Sequence, residues 1–249
     1  MNLTIDSLMK RKSIRVFEDI EISAENKQCI LEAAAAAPTA GNQQLYTILD
    51  ITDQELKERL AVTCDNQPFI AKAKMVLIFC ADCQKWYDAF FSAGCNPREP
   101  GHGDLLLAVS DATIAAQNAV VAAESLGIGS CYIGDIMEHC EIHQELLGLP
   151  KYVFPAAMLV FGYPTVQQKE RTKPKRADLR HIVHENTYRH MDDTELRELF
   201  AKKHGVKSYE EWMQAFCNRK YNSDFSYEMS RSVSAYLKNF MDYTTKASD

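Results

Sequence analysis

Positive charge gathers at two places in a chain whose balance is otherwise acidic. Arg11, Lys12 and Arg15 form one cluster, and Lys169, Arg171, Lys173, Lys175, Arg176 and Arg180 form the other. The 249 residues as a whole carry 28 Lys and Arg against 34 Asp and Glu, a formal net charge of −6. That balance gives a nucleic-acid partner no support, whereas a local cationic field suits a small anion. In an extended segment side chains alternate in direction, so Arg11, Ser13 and Arg15 can converge on one side, two guanidinium forks and a hydroxyl making a cradle for an anion or a carbonyl. A solvated loop is the plainer reading of either cluster taken alone.

Other residue types that could do chemistry are less promising. Cys80 and Cys83 have the CxxC spacing of redox and zinc motifs, but no second pair exists and the motif ends a strand. The chain start lacks the apolar core of a secretory signal, so the eight cysteines read as reduced thiols in a cytoplasmic protein. His139 and His143 lie four apart on an expected helix without the HExxH carboxylate; they are read as surface histidines, and no metal is expected. Gly127, Gly129 and Gly134 lie between a helix and a strand, the reverse of the order a dinucleotide fingerprint needs. They suit a helix cap and close approach to something flat. No P-loop, GxSxG elbow, paired catalytic carboxylates or prominent nucleophile is present.

The elements that must position these groups are organised around residues 104–134. Leu105 to Leu126 reads as a helix, apolar except for a stripe of Ser110, Asp111, Gln117, Asn118, Glu124 and Ser125, and so belongs in a core or at a subunit interface. The polar residues argue against a membrane span. Before it, the spacing predicts a short helix from Asp6, an extended Ser13–Phe17, a helix capped by Ser23 and stopped by Pro38, a strand from Tyr46, a helix opened by Thr52-x-x-Glu55 and a buried strand from Met75. An aromatic helix follows at 85–92, then a Gly/Pro-rich loop at 94–103. Beyond the central helix, Ser130–Ile133 and Phe154–Phe161 read as strands, Asp135 with Glu138 as a helix start, and the tail as three helices. The elements do not alternate as βαβα, which favours an α+β fold, a sheet flanked by helices.

Arg11-Lys12-Ser13-Ile14-Arg15-Val16-Phe17, Ala37-Pro38-Thr39 with Asn42, the DATIAAQN to LGIGSCYIG centre and a late Lys173-Pro174-Lys175 together resemble the FMN-dependent nitroreductase family, in order over about residues 8 to 190. The likeness is to its longer, oxygen-insensitive NADPH nitroreductase and flavin reductase group. It implies a mixed sheet flanked by helices, an FMN-binding core at residues 1–190 and a helical extension at 191–249 packed on it. It also implies a homodimer with one FMN in each of two clefts formed by both subunits. The resemblance further implies that electrons pass from NADPH or NADH through flavin N5 to a flat nitroaromatic, quinone or flavin acceptor in ping-pong fashion, with no catalytic side chain. Carried over by residue, Arg11 and Ser13, with Lys12 between them, are phosphate-end contacts, and Arg15 meets the pyrimidine edge. Lys173 and Lys175 make a second phosphate clamp. Thr39 and Asn42 lie over the ring, Gln67 is a polar ring contact, and Tyr132, Ile133 and Gly134 back the isoalloxazine. Lys175 stands where arginine is usual, so Arg176 could share its role, and Asp135 stands where a small residue is common. The alternatives are a non-enzymatic flavin-binding or redox-sensing protein, motivated by Cys131 and the Cys80/Cys83 pair, and a dehalogenase-like or flavin-destroying member of the same fold.

Overall fold

The structure, a computed structural model, describes residues 2–203 and 205–243. In chain order they form α1 (Leu3–Lys10), α2 (Ala24–Ala35), β1 (Tyr46–Asp50), α3 (Gln54–Thr63), α4 (Phe69–Lys72), β2 (Met75–Asp82), α5 (Gln84–Ser92), α6 (His102–Ser125), β3 (Gly129–Ile133), α7 (Cys140–Leu147), β4 (Val153–Gly162), α8 (Val166–Glu170), α9 (Asp193–Phe200), α10 (Tyr209–Lys220) and α11 (Asp224–Leu237). Short 3-10 turns lie at Ala40–Asn42, Gly134–Met137 and Leu179–His181. The chain divides into two compact units, one of residues up to Arg171 together with those from Glu228 onward, the other Thr172–Tyr227.

The first unit holds a sheet of order β1-β2-β4-β3 whose three pairings are antiparallel. A parallel bridge from Ser13 to Ser130 adds the incoming chain to the β3 edge. Successive β2 residues serve opposite faces, as a pleated strand requires. Leu77 and Phe79 pack with Ile30 and Ala34 of α2 and with Ala112, Ala116 and Ala119 of α6, while Val76 and Ile78 pack with Leu60 of α3 and Ile70 of α4. Pro155, inside the central strand β4, lacks an N–H for the ladder, and the register shifts opposite it, between Phe79 and Cys80.

The central helix is where it was expected, and its membrane-like composition is explained by the core: its alanines are the surface against which α2 and the sheet close. Its polar stripe is only in part its solvent face: Ser110, Gln117 and Ser125 are exposed, and the rest are not. Asp111 is only 3% exposed, while Leu106, Leu107 and Ile114 are exposed at 66%, 51% and 41%. The helix ends at Leu126, where Gly127 takes φ +74°, a left-handed conformation that glycine adopts without steric cost.

Caps follow the sequence signals with two corrections. Ser23, Asp192 and Ser208 accept at their helix starts, but α3 is capped by Asp53 rather than by Thr52, its carboxylate accepting from Leu56 N at 2.7 Å. Asp135 and Glu138 do not open an α-helix; they belong to a 3-10 turn and its exit, and α7 starts only after His139 turns left-handed at φ +50°. His139 N then donates to Glu228 Oε1 at 3.1 Å, and Ser232 Oγ accepts from Cys140 N at 2.9 Å, so the later part of α11 supplies the cap that the local sequence lacks. In the second unit, α9 and α10 are joined by an Arg197–Glu210 ion pair at 2.6 Å and by Phe200, Trp212 and Phe216, in ring contact at 5.9 and 5.0 Å.

Candidate active site

The segment after α1 owes its place to two glycines. Ile14 N donates to Ser130 O at 2.9 Å, and a Cβ at Gly129 would sit 2.5 Å from Ile14 Cγ1. A Cβ at Gly162 would likewise lie 2.7 Å from Phe17 Cδ1. Both positions must be bare for residues 13–17 to lie against the ends of β3 and β4. Bound there at either end, the segment has one rotational setting, and Arg11, Ser13 and Arg15 are aimed by it.

Arg11 stands with its Cζ 5.9 Å from the Tyr132 ring centroid, a cation–π distance. Its Nε and Nη2 are buried and have no hydrogen-bond acceptor. A buried guanidinium N–H without a partner carries a desolvation penalty that an anion would relieve. Tyr132 donates to Gln117 Oε1 at 3.3 Å, and burial pushes its phenol up to about 12, with the nearby Arg11 pulling the other way. Arg15, exposed, holds its Cζ 5.9 Å from the Phe69 ring and so reaches the corner where Gln67 sits. That corner is a tight turn with Asp65 and Asn66 left-handed at φ +60° and +51°, and Gln67 Nε2 donates to Cys64 O at 2.8 Å.

Gly134 follows Tyr132 and Ile133 at the end of β3, and it differs from the packing glycines. Its φ is not left-handed, and a Cβ there would meet only Met137 Cε, at 4.0 Å. Nothing inside the chain requires a glycine. A flat group approaching the backbone would.

The structure brings Arg11, Ser13, Arg15, Gln67, Tyr132, Ile133 and Gly134 into one neighbourhood through the Ser13–Ser130 bridge, the Arg11–Tyr132 contact and the Arg15–Phe69 contact. Lys12 is used differently from its neighbours: its ammonium donates to the carbonyls of Lys169 and Arg171, and Arg171 in turn donates to Ser13 O. The chain beyond α8 is thereby tied to the segment, a role for Lys12 and Arg171 that clustering of charge did not reveal. Thr39 and Asn42 form a separate corner with no hydrogen bond to the Arg11–Tyr132 wall among the described residues. Lys173 and Lys175 belong to the second unit, Lys175 exposed and Lys173 half-buried.

His143 and the Cys80/Cys83 pair all lie in the interior. His143 is not a surface histidine: it is fully buried, one ring nitrogen 3.0 Å from Ile136 O and the other 2.9 Å from Thr63 Oγ1, so neither nitrogen is left for a metal, and burial lowers its pKa. No metal-binding group of His, Cys, Asp and Glu occurs among the described residues. Cys80 and Cys83 are buried, and desolvation pushes both thiols up to about 12, well away from the thiolate that redox exchange needs.

Comparison with known proteins finds relatives over most of the chain. The Nitroreductase family matches residues 8–163. An FMN reductase [NAD(P)H] of Bacillus subtilis is 32% identical over 241 residues, covering 96% of this chain and 92% of the relative. An oxygen-insensitive NADPH nitroreductase of Salmonella typhimurium is 36% identical over 195 residues, covering 78% of each. Among solved structures, the NADPH:FMN oxidoreductase of Vibrio harveyi complexed with NAD+ superposes with a TM-score of 0.76 at 28% identity, covering 95% of this chain and 97% of that one.

Proposed function

The chain belongs to the nitroreductase family, and on that premise we propose that it is an FMN-dependent oxidoreductase taking electrons from NADPH or NADH and giving them to a flat acceptor such as a nitroaromatic, a quinone or a flavin. The observation that carries this reading is the Arg11 guanidinium, buried at Nε and Nη2 with no acceptor, taken together with a glycine at position 134 that neither conformation nor packing demands. The residues present therefore fit a group with an anionic end and a flat end.

Bound FMN supplies the two-electron chemistry, which is why no side-chain nucleophile is needed. The chain's own residues bind and orient. Arg11 and Ser13, with Lys12 bracing the segment behind them, take the phosphate; Lys173 and Lys175 add a second clamp, with Arg176 near it in sequence. Arg15 sets positive charge at the pyrimidine edge, which favours the reduced cofactor. Gln67 gives a polar ring contact, Tyr132, Ile133 and Gly134 form the backing, and Thr39 and Asn42 cover the ring. In this reading residues 1–190 serve the flavin, and 191–249 are a helical extension.

A cytoplasmic homodimer completes the proposal. Leu106, Leu107 and Ile114 along α6, with Leu3, Ile5, Leu8 and Met9 on α1, leave apolar surface of the kind a subunit interface covers. Sedimentation velocity should give twice the chain mass of 28.2 kDa. The primary test is the visible spectrum of the purified protein, taken again anaerobically after adding NADPH and, separately, NADH. A yellow protein that bleaches is the expected result, and one that stays colourless after incubation with FMN would falsify the cofactor assignment.

A further inference from the structure

The loop between α2 and β1 holds three left-handed residues within four positions: Gly41 at φ +56°, Asn42 at +57° and Gln44 at +50°. Glycine accepts this freely and asparagine tolerates it, but glutamine rarely adopts it. Such a backbone persists only where its surroundings hold it. One hold is local, Thr39 Oγ1 accepting from Gln44 N at 3.2 Å, and a second comes from α5, Trp86 Nε1 donating to Gln43 O at 2.7 Å.

The third reaches across from α6. Asp111, nearly fully buried, accepts from Ala40 N through Oδ1 at 3.0 Å and from Leu45 N through Oδ2 at 3.1 Å. One carboxylate thus grips the loop at both ends, spanning the left-handed residues. No lysine, arginine or histidine pairs with it among the described residues. Burying a carboxylate on a helix otherwise lined with alanine is costly, and an apolar residue would suit the packing better. The two backbone N–H groups are the use this fold makes of it.

We infer that Asp111 is a positioning residue of the active site: it fixes the loop that carries Thr39 and Asn42, so that its loss is felt in flavin retention and acceptor binding through that loop rather than by contact of its own. The inference rests on the functional reading above, in which that loop covers the flavin ring.

The test compares wild-type holoenzyme with Asp111→Asn, which keeps one acceptor oxygen, and Asp111→Leu, which keeps none but suits the apolar helix. Ser110→Ala, one residue away on the exposed face, is the control. Three quantities are read: hydrogen exchange at the Ala40 and Leu45 amides, the FMN dissociation constant, and KM against kcat with menadione as acceptor. Exchange should quicken at one of the two amides in Asp111→Asn and at both in Asp111→Leu. The FMN dissociation constant and the menadione KM should rise about tenfold in Asp111→Leu and less in Asp111→Asn, in line with the loss of charge-assisted hydrogen bonds. A general loss of fold would instead lower kcat at unchanged KM. Unaltered exchange overturns the clamp, and quickened exchange with unchanged FMN retention and KM overturns the link to the site. A wild-type protein that holds no FMN overturns the functional reading and this inference with it; a wild-type holoenzyme that Asp111→Leu leaves unchanged overturns the inference alone.

Discussion

The segment at residues 11–17 and the loop at 39–45 are both short, irregular and placed by the proposed function against the same ligand, yet they are built on opposite plans. In the segment the backbone is satisfied by the edge of the sheet and the Arg11 guanidinium is left unmet: Ile14 N donates to Ser130 O while two buried nitrogens of Arg11 have no acceptor. In the loop the side chains matter less than the backbone, which is held in a costly shape by Asp111 and Trp86. A site can thus present chemistry through unmatched side chains on relaxed backbone, or through shape on strained backbone fixed from elsewhere. Disturbing each plan at its own anchor separates them.

The largest effect should follow from undocking the segment. Gly129→Val places branched methyls where even a Cβ comes within 2.5 Å of Ile14, so the segment must move off β3. We expect a loss of about 3 kcal/mol in stability, from overpacking, together with loss of FMN from the purified protein. Thermal unfolding and the visible spectrum check both halves, and a stable yellow variant would break the claim that the sheet edge aims Arg11. Next in size is Arg11→Ala, which leaves the segment docked. It should weaken FMN retention by about 10- to 100-fold, as expected for a charge-assisted hydrogen bond, with little change in melting temperature. Fluorescence titration with FMN measures the first and calorimetry the second.

The same contrast explains what could be read from sequence. Arg11, Ser13 and Arg15 were legible because charge and alternation are written in residue types, and the central helix because its apolar run is long. Asp111 was visible only as one of six polar residues in a stripe, since nothing local says that a carboxylate will reach loop amides some 70 positions earlier in the chain. Lys12 and Arg171 were counted as charge, whereas their long side chains fasten one stretch of chain to another. The start of α7 was misplaced for a related reason: its cap comes from α11, about 90 residues later. Local capping rules see only partners within a turn.

Gly134→Ala sharpens the comparison at smaller scale. Gly129 and Gly134 lie five residues apart at the two ends of β3, one bare because the chain itself fills the space, the other with open space before it. The alanine at 134 should change stability by less than about 0.5 kcal/mol, as for a surface substitution, yet raise the FMN dissociation constant severalfold because the methyl occupies the approach of a flat ring. Equal FMN affinity in this variant and wild type would mean that the ring is not backed there.

The smallest expected effect concerns the turn that follows Gly134. Glu138 is 4% exposed, and burial, with Asp135, Asp65 and Glu228 nearby, pushes its carboxyl up to about 7. The polar neighbours are already engaged, His139 with Glu228 at 3.3 Å and Arg231 with both Glu228 and Glu141. Because the folded value lies above the ordinary carboxyl range, the folded protein holds this proton more tightly than the unfolded chain does. The contribution to stability is therefore complete below about pH 4 and is lost as pH rises through about 7. Between pH 6 and 8 the wild-type melting temperature should fall by a few degrees more than that of Glu138→Gln, whose amide cannot ionise. Asp65 shares the tight turn with Gln67 and Asp135 adjoins Gly134, so the repulsion on ionisation is set up next to both of these residues. Melting curves that run parallel for wild type and Glu138→Gln across that range would mean that ionisation of this carboxyl does not lower the stability of the turn after Gly134.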